Sequence, residues 1–253
     1  TTGYAPYTVD FTDTSTAGDG TITSWHWDFG DGFTSSEQNP SHEYTTPGAY
    51  EAYLTITDEH GCTHKSEAMG MVINEALATL TLEKTVINDN GGQATEADFQ
   101  AYIGGDMVDW DDPITLYADD YTVHEEYSIG GYTPSVWGGD CNEDGTITLQ
   151  PGNDYTCTIT NDDIQPLITV NKLVENGPYG SLSATDFNLY VGGLSVLTGV
   201  TNGFNADTYT VSEDPVEGYS AEYSGECDTE GNLTVDIGES KTCTITNTSQ
   251  HGK

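Results

Sequence analysis

The sequence predicts an all-β protein made of three consecutive β-sandwich domains in a row. Runs of alternating apolar and polar residues recur between turns rich in Gly, Pro, Asn and Asp, which is typical of antiparallel strands with one buried face. The run CTITN from Cys157 to Asn161 returns from Cys243 to Asn247, and this return indicates a tandem repeat. No segment has the periodicity of a long helix.

Composition limits the classes of partner. The chain has 253 residues, and 42 acidic residues against 5 basic ones leave a net charge of −37. Such a surface repels phosphate backbones and anionic lipid, so we expect neither a nucleic acid partner nor direct insertion into a membrane. The hydrophobic share of 35% is enough to build cores, so the charge is expected on surfaces rather than in disordered segments.

Residues 1–75 are expected to form the first domain. Alternation places Trp25, Trp27 and Phe29 on one face of a strand. The glycines of the run 30–32 then turn the chain before further short strands. Strands of this length and spacing predict an antiparallel sandwich.

Residues 76–163 and 164–253 are expected to be the two copies of the repeat. Besides CTITN, a Lys, an Asp-Phe pair and a Tyr-x-Val-x-Glu run recur 88 residues apart, in the pairs Lys84 and Lys172, Phe99 and Phe187, and Glu125 and Glu213. Each copy has enough short strands for a sandwich of seven or eight. The junctions are short, so we expect a stiff row rather than a flexible string.

Four of the five cysteines recur with the repeat. Cys141 and Cys157 are 16 residues apart, and so are Cys227 and Cys243. Because this spacing does not fit a zinc site, each pair is predicted to be a disulfide, which stabilises its repeat by about 3 kcal/mol. Cys62 is left over, either as a free thiol or as a link to another chain.

Disulfides indicate an oxidising, extracellular setting. No apolar run is long enough for a transmembrane helix, and the first four residues lack the basic start and apolar core of a signal peptide. If the protein is exported, the given sequence is therefore expected to be the mature form.

The run WDFGDG from Trp27 to Gly32, followed by NPSHEY at 39–44 and PGAY at 47–50, resembles a PKD domain. The resemblance implies an immunoglobulin-like β-sandwich of a secreted or cell-surface protein, used as a spacer, adhesion or substrate-contact module. Members of this family carry a strand before the segment that starts here at Tyr4, and only three residues precede it. We therefore expect an open sheet edge, or a strand supplied by another chain, and assembly by strand addition is a hypothesis.

Both repeats resemble the prealbumin-like fold of collagen-adhesin B-type and pilin-type surface domains, which end in a Thr-Ile-Thr-Asn strand. Some members form an intramolecular isopeptide bond between a Lys of the first strand and an Asn of the last, assisted by a Glu in a Tyr-x-Val-x-Glu run. The resemblance implies the same roles for three residues of each repeat: Lys84, Glu125 and Asn161 in the first, and Lys172, Glu213 and Asn247 in the second.

Burial explains why that chemistry needs these residue types. An apolar core disfavours charge, which lowers the pKa of a Lys and raises that of a Glu, so a neutral amine attacks an amide carbon polarised by a protonated carboxyl. The alternative is that both lysines are solvated or paired with a neighbouring acid. In the first repeat Glu126 adjoins Glu125 and is a competing acid, although the Tyr-x-Val-x-Glu run selects Glu125. No catalytic constellation for an external substrate is found, and no enzyme activity beyond this self-catalysed step is expected.

Acidic loops and sequons offer weaker sites. Residues 109–112, 140–144 and 162–163 carry oxygen ligands suited to weakly bound calcium, but none has EF-hand spacing, and a solvated acidic face explains them as well. No other metal or cofactor is expected. Asn232 and Asn247 each begin an N-glycosylation sequon, and at Asn247 a glycan and an isopeptide bond exclude each other.

Together these features predict an extracellular structural subunit of a surface layer, stalk or filament that self-associates into a polymer. The alternative is an adhesion module, in which the first domain binds a glycan or a surface protein and the repeats form a stalk. A third interpretation is the detached accessory region of a secreted hydrolase.

Overall fold

The computed structural model describes residues 1–127, 129–178 and 180–250, and these residues are almost entirely β-structure. Their helical elements are two short 3-10 turns, Glu96–Asp98 and Ala184–Asp186. The prediction of an all-β chain is confirmed. Parts of the expected second and third domains, namely Ser128, Tyr179 and residues 251–253, lie outside the described residues.

The chain falls into two compact units. The first comprises Thr1–Leu80, Pro113–Tyr121 and Thr148–Tyr155. The second comprises Thr81–Asp112, Thr122–Ile147 and Thr156–Lys253.

Eight strands precede residue 75: β1 (Thr2–Tyr4), β2 (Tyr7–Asp10), β3 (Ile22–Asp28), β4 (Thr34–Ser35), β5 (Ser41–Tyr44), β6 (Gly48–Asp58), β7 (Thr63–Lys65) and β8 (Met69–Asn74). One sheet has the order β1-β8-β6-β3-β4, with β7 paired to β6, while β2 and β5 form a separate antiparallel pair. Trp27 and Phe29 are buried in the core, Trp25 is half-buried, and His26 and Asp28 are exposed. The predicted division of this strand into two faces is confirmed.

The expected open edge of the first domain is wrong. Thr2 lies opposite Val72 and Tyr4 opposite Asn74 in a parallel pairing of β1 with β8. Backbone hydrogen bonds continue at the end of this ladder, where Ala5 N donates to Asn74 O at 3.0 Å. Three residues are enough for a strand here because β8 offers a ready row of backbone partners.

Nine strands belong to the first repeat: β9 (Leu77–Ile87), β10 (Phe99–Ile103), β11 (Asp106–Val108), β12 (Ile114–Tyr117), β13 (Asp120–Tyr127), β14 (Tyr132–Pro134), β15 (Gly138–Gly139), β16 (Thr146–Thr148) and β17 (Asp154–Asp163). Eight belong to the second repeat: β18 (Leu167–Glu175), β19 (Leu189–Val191), β20 (Leu194–Val196), β21 (Thr201–Gly203), β22 (Asp207–Glu213), β23 (Tyr219–Gly225), β24 (Asn232–Val235) and β25 (Ser240–Ser249).

The two repeats have the same sheet order. In the first repeat the sheets run β12-β9-β17-β14, with β15 on β17, and β11-β10-β13-β16. In the second they run β21-β18-β25-β23 and β20-β19-β22-β24. The first and last strands of each repeat are therefore neighbours in one sheet, and in the second repeat they are parallel.

Both predicted disulfides are formed. Cys141 is bonded to Cys157 on β17, with Cα atoms 5.1 Å apart, and Cys227 is bonded to Cys243 on β25, with Cα atoms 5.2 Å apart. Each disulfide ties the last strand of its repeat to the segment that precedes it by 16 residues. Cys62 is exposed and unpaired among the described residues.

Replacing Cys141 and Cys157 together by Ala should lower the free energy of unfolding by about 3 kcal/mol, because the disulfide restricts the unfolded chain. Chemical denaturation without reductant measures the change. Cys62→Ala is the control, since this thiol is exposed and unpaired, and it should leave stability unchanged. Equal stability of the double variant and the native chain would contradict the prediction.

Candidate functional site

Each repeat places a Lys, a Glu and an Asn inside its sandwich. In the first repeat Lys84 lies on β9 and Asn161 on the neighbouring strand β17, while Glu125 lies on β13 of the other sheet. Side chains alternate along a strand, so the row that buries Leu82 also buries Lys84. The alternation of inward and outward side chains that builds the apolar core thus also places polar side chains inside it.

The three side chains of the first repeat meet. Lys84 Nζ donates to Glu125 Oε2, and Asn161 Nδ2 donates to Glu125 Oε1 at 2.8 Å. All three side chains are buried. Asn161 Oδ1 is buried without a hydrogen-bond partner among the described residues. The carboxylate therefore bridges the amine and the amide.

The second repeat brings together the equivalent residues on β18, β22 and β25. Lys172 Nζ contacts Glu213 Oε2 and also Asn247 Oδ1, and Asn247 Nδ2 donates to Glu213 Oε1 at 2.6 Å. Lys172 and Asn247 are both buried. Amine, carboxyl and amide are all in mutual contact here.

Burial lowers the pKa of both lysines. Loss of water around Lys84 and Lys172 disfavours the ammonium more than the adjacent carboxylate favours it. Aromatic rings help to exclude water, because Lys84 Nζ lies 4.3 Å from the ring centroid of Phe99 and Lys172 Nζ lies 4.3 Å from that of Phe187. A larger fraction of these lysines is therefore in the neutral, nucleophilic form than for a solvated lysine.

The structure also distinguishes between the two candidate acids of the first repeat. Glu126 is exposed, whereas Glu125 is the acid that contacts Lys84. The alternative of solvated lysines does not apply, since each buried lysine is paired with the acid that the resemblance implied. An amine, a carboxyl and a carboxamide in contact away from water can undergo acyl transfer from Asn to Lys.

Sequence reasoning missed the aromatic surroundings of the lysines. The recurrence of Asp-Phe 88 residues apart carried the signal for Phe99 and Phe187. Trp110, whose ring centroid lies 5.4 Å from Lys84 Nζ, has Thr198 as its equivalent in the second repeat. Thr198 Oγ1 instead accepts a hydrogen bond from the backbone of Lys172 at 2.8 Å.

One group of three carboxylates occurs among the described residues: Asp89, Asp162 and Asp163. Asp163 is buried, and its oxygens accept backbone hydrogen bonds from Asn90 at 3.0 Å and Gly92 at 2.6 Å. Burial raises the pKa of Asp163, but these hydrogen bonds outweigh it and hold the pKa below its usual value. Asp163 therefore fastens the turn that follows β9 to the end of β17.

The two sequons differ in accessibility. Asn247 is buried within the Lys–Glu–Asn group. Asn232 is half-buried at the start of β24, where its Nδ2 donates to Asp228 Oδ2 at 3.0 Å. Glycosylation at Asn232 stays a prediction, and it requires this hydrogen bond to open.

The fold and the site define a modular all-β protein with a buried Lys–Glu–Asn group in each repeat. A family model described as "Prealbumin-like fold domain" matches residues 75–159 and again 163–245, and a model described as "PKD domain" matches residues 3–73. The chain belongs to the prealbumin-like fold family, with a PKD domain preceding two prealbumin-like domains. Both resemblances inferred from the sequence are confirmed.

Similar proteins include bacterial collagenases. Collagenase ColA of Clostridium perfringens (strain 13 / Type A) is 28% identical over 177 residues, which cover 60% of this chain and 16% of the collagenase. The microbial collagenase of Vibrio alginolyticus is 30% identical over 139 residues, covering 55% of this chain and 14% of that protein. The chain thus spans less than a fifth of the length of these relatives.

Among solved structures, the PKD1 domain from the Vibrio cholerae metalloprotease PrtV is 32% identical, with a TM-score of 0.24. The aligned region covers 28% of this chain and 98% of the PrtV domain.

PKD and prealbumin-like domains are typically accessory modules of extracellular proteins, and their combination in this chain indicates an extracellular surface module. Among the described residues, no helix has the length and apolar character needed to cross a membrane.

Asp163→Asn should lower the free energy of unfolding at neutral pH by about 1 to 3 kcal/mol, because the buried N–H groups lose a charged acceptor. The folded-state pKa of Asp163 is lowered, so its contribution is present above the unfolded value of about 3.9 and is lost as the pH falls through the folded value. Urea denaturation at neutral and acidic pH measures both effects. Asp162→Asn, at an exposed neighbour, is the control; a similar loss in that variant would contradict the assignment.

Proposed function

We propose that the chain is an extracellular structural module of a surface layer, stalk or filament, with domains at residues 1–75, 76–163 and 164–253. In this proposal each prealbumin-like domain is closed by an isopeptide bond. The supporting observation is the buried Lys–Glu–Asn group that recurs at matched positions of both repeats, with the Glu bridging amine and amide.

In the second repeat the reaction is an acyl transfer from Asn247 to Lys172. Glu213 takes a proton from the ammonium of Lys172, and the neutral Nζ attacks Cγ of Asn247. The carboxyl passes that proton to the leaving Nδ2 and takes a second proton from Nζ. The Cγ–Nδ2 bond breaks, ammonia departs, and an amide joins the two side chains.

The reaction also removes two buried charges. Before it, an ammonium and a carboxylate face each other in a site with little water; after it, the core holds a neutral amide and a protonated carboxyl. Because an ion buried in a protein interior costs several kcal/mol of lost hydration, the product suits the core better than the reactants. The same residues in the first repeat are Lys84, Glu125 and Asn161.

Such a bond suits a module that carries tension. Lys172 on β18 and Asn247 on β25 lie on parallel neighbouring strands at the start and end of the second repeat. A force that enters along β18 and leaves along β25 would pass through the cross-link and bypass the strands between them. This path supports the stalk or filament role.

A second candidate function rests on the relatives. The match to Collagenase ColA extends over 177 residues, more than the PKD domain alone. The region shared with collagenases supports an accessory role in which the chain binds an extracellular substrate such as collagen. In this alternative the PKD domain contacts the protein or a glycan, and the repeats hold it at a distance.

The native chain should be lighter than its sequence mass, after allowance for the disulfide hydrogens, by two molecules of ammonia. Lys84→Met and Lys172→Met should each restore one ammonia, and Glu125→Gln and Glu213→Gln should do the same because the proton carrier is lost. Intact-mass spectrometry of the non-reduced and the reduced protein measures this, and the allowance for disulfide hydrogens applies only before reduction.

Lys65→Met is the control, because Lys65 is exposed and should leave the mass deficit at two ammonia molecules. A native mass equal to that of the plain sequence would refute the cross-links. The module would then be held by packing and disulfides alone.

If the second candidate is correct, the chain should co-sediment with fibrillar collagen. Phe33, 66% exposed in the PKD domain, is an available aromatic anchor, and Phe33→Ala should weaken binding about tenfold. Val136→Ala, at a position 62% exposed in the first repeat, is the matched control. Failure of the native chain to pellet with collagen would exclude this partner.

A further inference from the structure

The second repeat carries exposed aliphatic side chains. Leu194 is 65% exposed and Leu197 72%, while Val200 is 44% and Leu173 55% exposed. These four residues are called the aliphatic patch below. Exposed apolar side chains that stand together mark interaction sites more often than scattered single ones do.

Backbone contacts bring the patch together. Gly199 N donates to Val170 O at 2.9 Å, which holds the turn 197–200 against β18, the strand that carries Leu173. Leu194 lies on β20, the outermost strand of its sheet among the described residues. Leu194, Leu197 and Val200 therefore lie along the segment that runs from the edge strand β20 to the edge strand β21 of the other sheet, and Leu173 lies on β18, the neighbour of β21.

The first repeat has the same backbone at this place. Asp111 N donates to Leu82 O at 2.9 Å, as Gly199 N does to Val170 O. Asp111 and Gly199 also share a positive φ, of 63° and 71°. This turn has one conformation in both repeats, so its fold does not require aliphatic side chains.

The side chains on this shared backbone are opposite in character. The residues 88 positions before those of the patch are three acids and a Thr: Asp106, Asp109 and Asp112 correspond to Leu194, Leu197 and Val200, and Thr85 corresponds to Leu173. At three of the four positions the first repeat thus presents a carboxylate where the second presents an aliphatic side chain. The turn adopts the same conformation with either set of side chains. The exposed aliphatic residues of the second repeat are therefore not needed for folding, and binding to a partner explains their presence.

Charge indicates what binds there. The stretch from Phe187 to Ala206 contains no charged residue, in a chain with 42 acidic residues and a net charge of −37. Two copies of such a chain repel each other over most of their surfaces. A contact between copies is least opposed where neither presents a carboxylate. A cationic partner, by contrast, would be attracted to the acidic surfaces.

We propose that the aliphatic patch is the surface through which a second copy of this chain binds, patch against patch about a two-fold axis. Such an isologous contact brings the same stretch 187–206, which has no charged residue, to both sides and buries the leucines of both copies. The proposal adds a dimer contact to the structural-subunit role above; because an isologous contact closes at two copies, a filament requires a second, different contact. It does not depend on the isopeptide bonds.

Analytical ultracentrifugation of the full chain at increasing protein and salt concentration tests the proposal. The dimer fraction should rise from low salt to about 1 M NaCl, where the Debye length is about 3 Å, because screening removes the repulsion and leaves the apolar contact. The double variant Leu194→Asp with Leu197→Asp introduces the acids of the first repeat, so the same backbone accommodates them. The dissociation constant of its dimer should be about a hundredfold higher than that of the native chain.

Met107→Asp is the matched control, because Met107 is also 65% exposed but lies in the first repeat, and it should leave dimerisation unchanged. A native chain that stays monomeric at every concentration and salt overturns the proposal. So does a dimer that survives the double variant, or one that salt dissociates. Intact mass measured on the same samples reports the cross-links separately, so failure of one proposal is distinguishable from failure of the other.

Discussion

The structure of each repeat depends on keeping an amine, a carboxyl and an amide together inside an apolar sandwich. Lys84 and Lys172 come from strands whose other inward residues are aliphatic, so each lysine has little water available. A buried ammonium is tolerated only when it is paired, and Glu125 and Glu213 supply the pairing from the opposite sheet. In each repeat this ion pair links the two sheets across the apolar core. The proposed condensation would turn that electrostatic constraint into a covalent one.

The tandem repeat allows one site to be compared with the other inside a single chain. In the second repeat the lysine touches the amide oxygen, whereas in the first Asn161 Oδ1 is buried without a partner among the described residues. Trp110 adjoins the lysine in the first repeat, and Thr198 occupies the matching place in the second. The three central residues are the same in both, while the surroundings differ, so the central group is the part that both repeats retain.

The acidic surface also serves local structure. Carboxylates accept backbone hydrogen bonds at turns, as Asp163 does after β9. Burial alone would raise the pKa of Asp13, but hydrogen bonds from Ser15, Trp25 and Gln38 lower it to about 2. The remaining carboxylates make copies of the chain repel each other, and salt screens this repulsion. The aliphatic patch differs from this acidic surface because three of its four residues lie in a stretch without charged side chains.

Much of the architecture could be read from the sequence, because alternation, turn residues and the 88-residue offset are local or periodic signals. They predicted the all-β class, the faces of the Trp25 to Phe29 strand and the cysteine pairs. The parallel pairing of Thr2–Tyr4 with β8 could not be predicted, because it joins segments about 70 residues apart through backbone groups that carry no sequence signature. The resemblance had already pointed to Glu125 rather than Glu126, and the structure shows that Glu125 contacts Lys84. The aromatic shielding of the lysines, by contrast, depended on which way side chains face. By itself the sequence determined which residue types recur; only the tertiary structure decided which of them are buried in contact, because burial depends on strands brought together from distant parts of the chain.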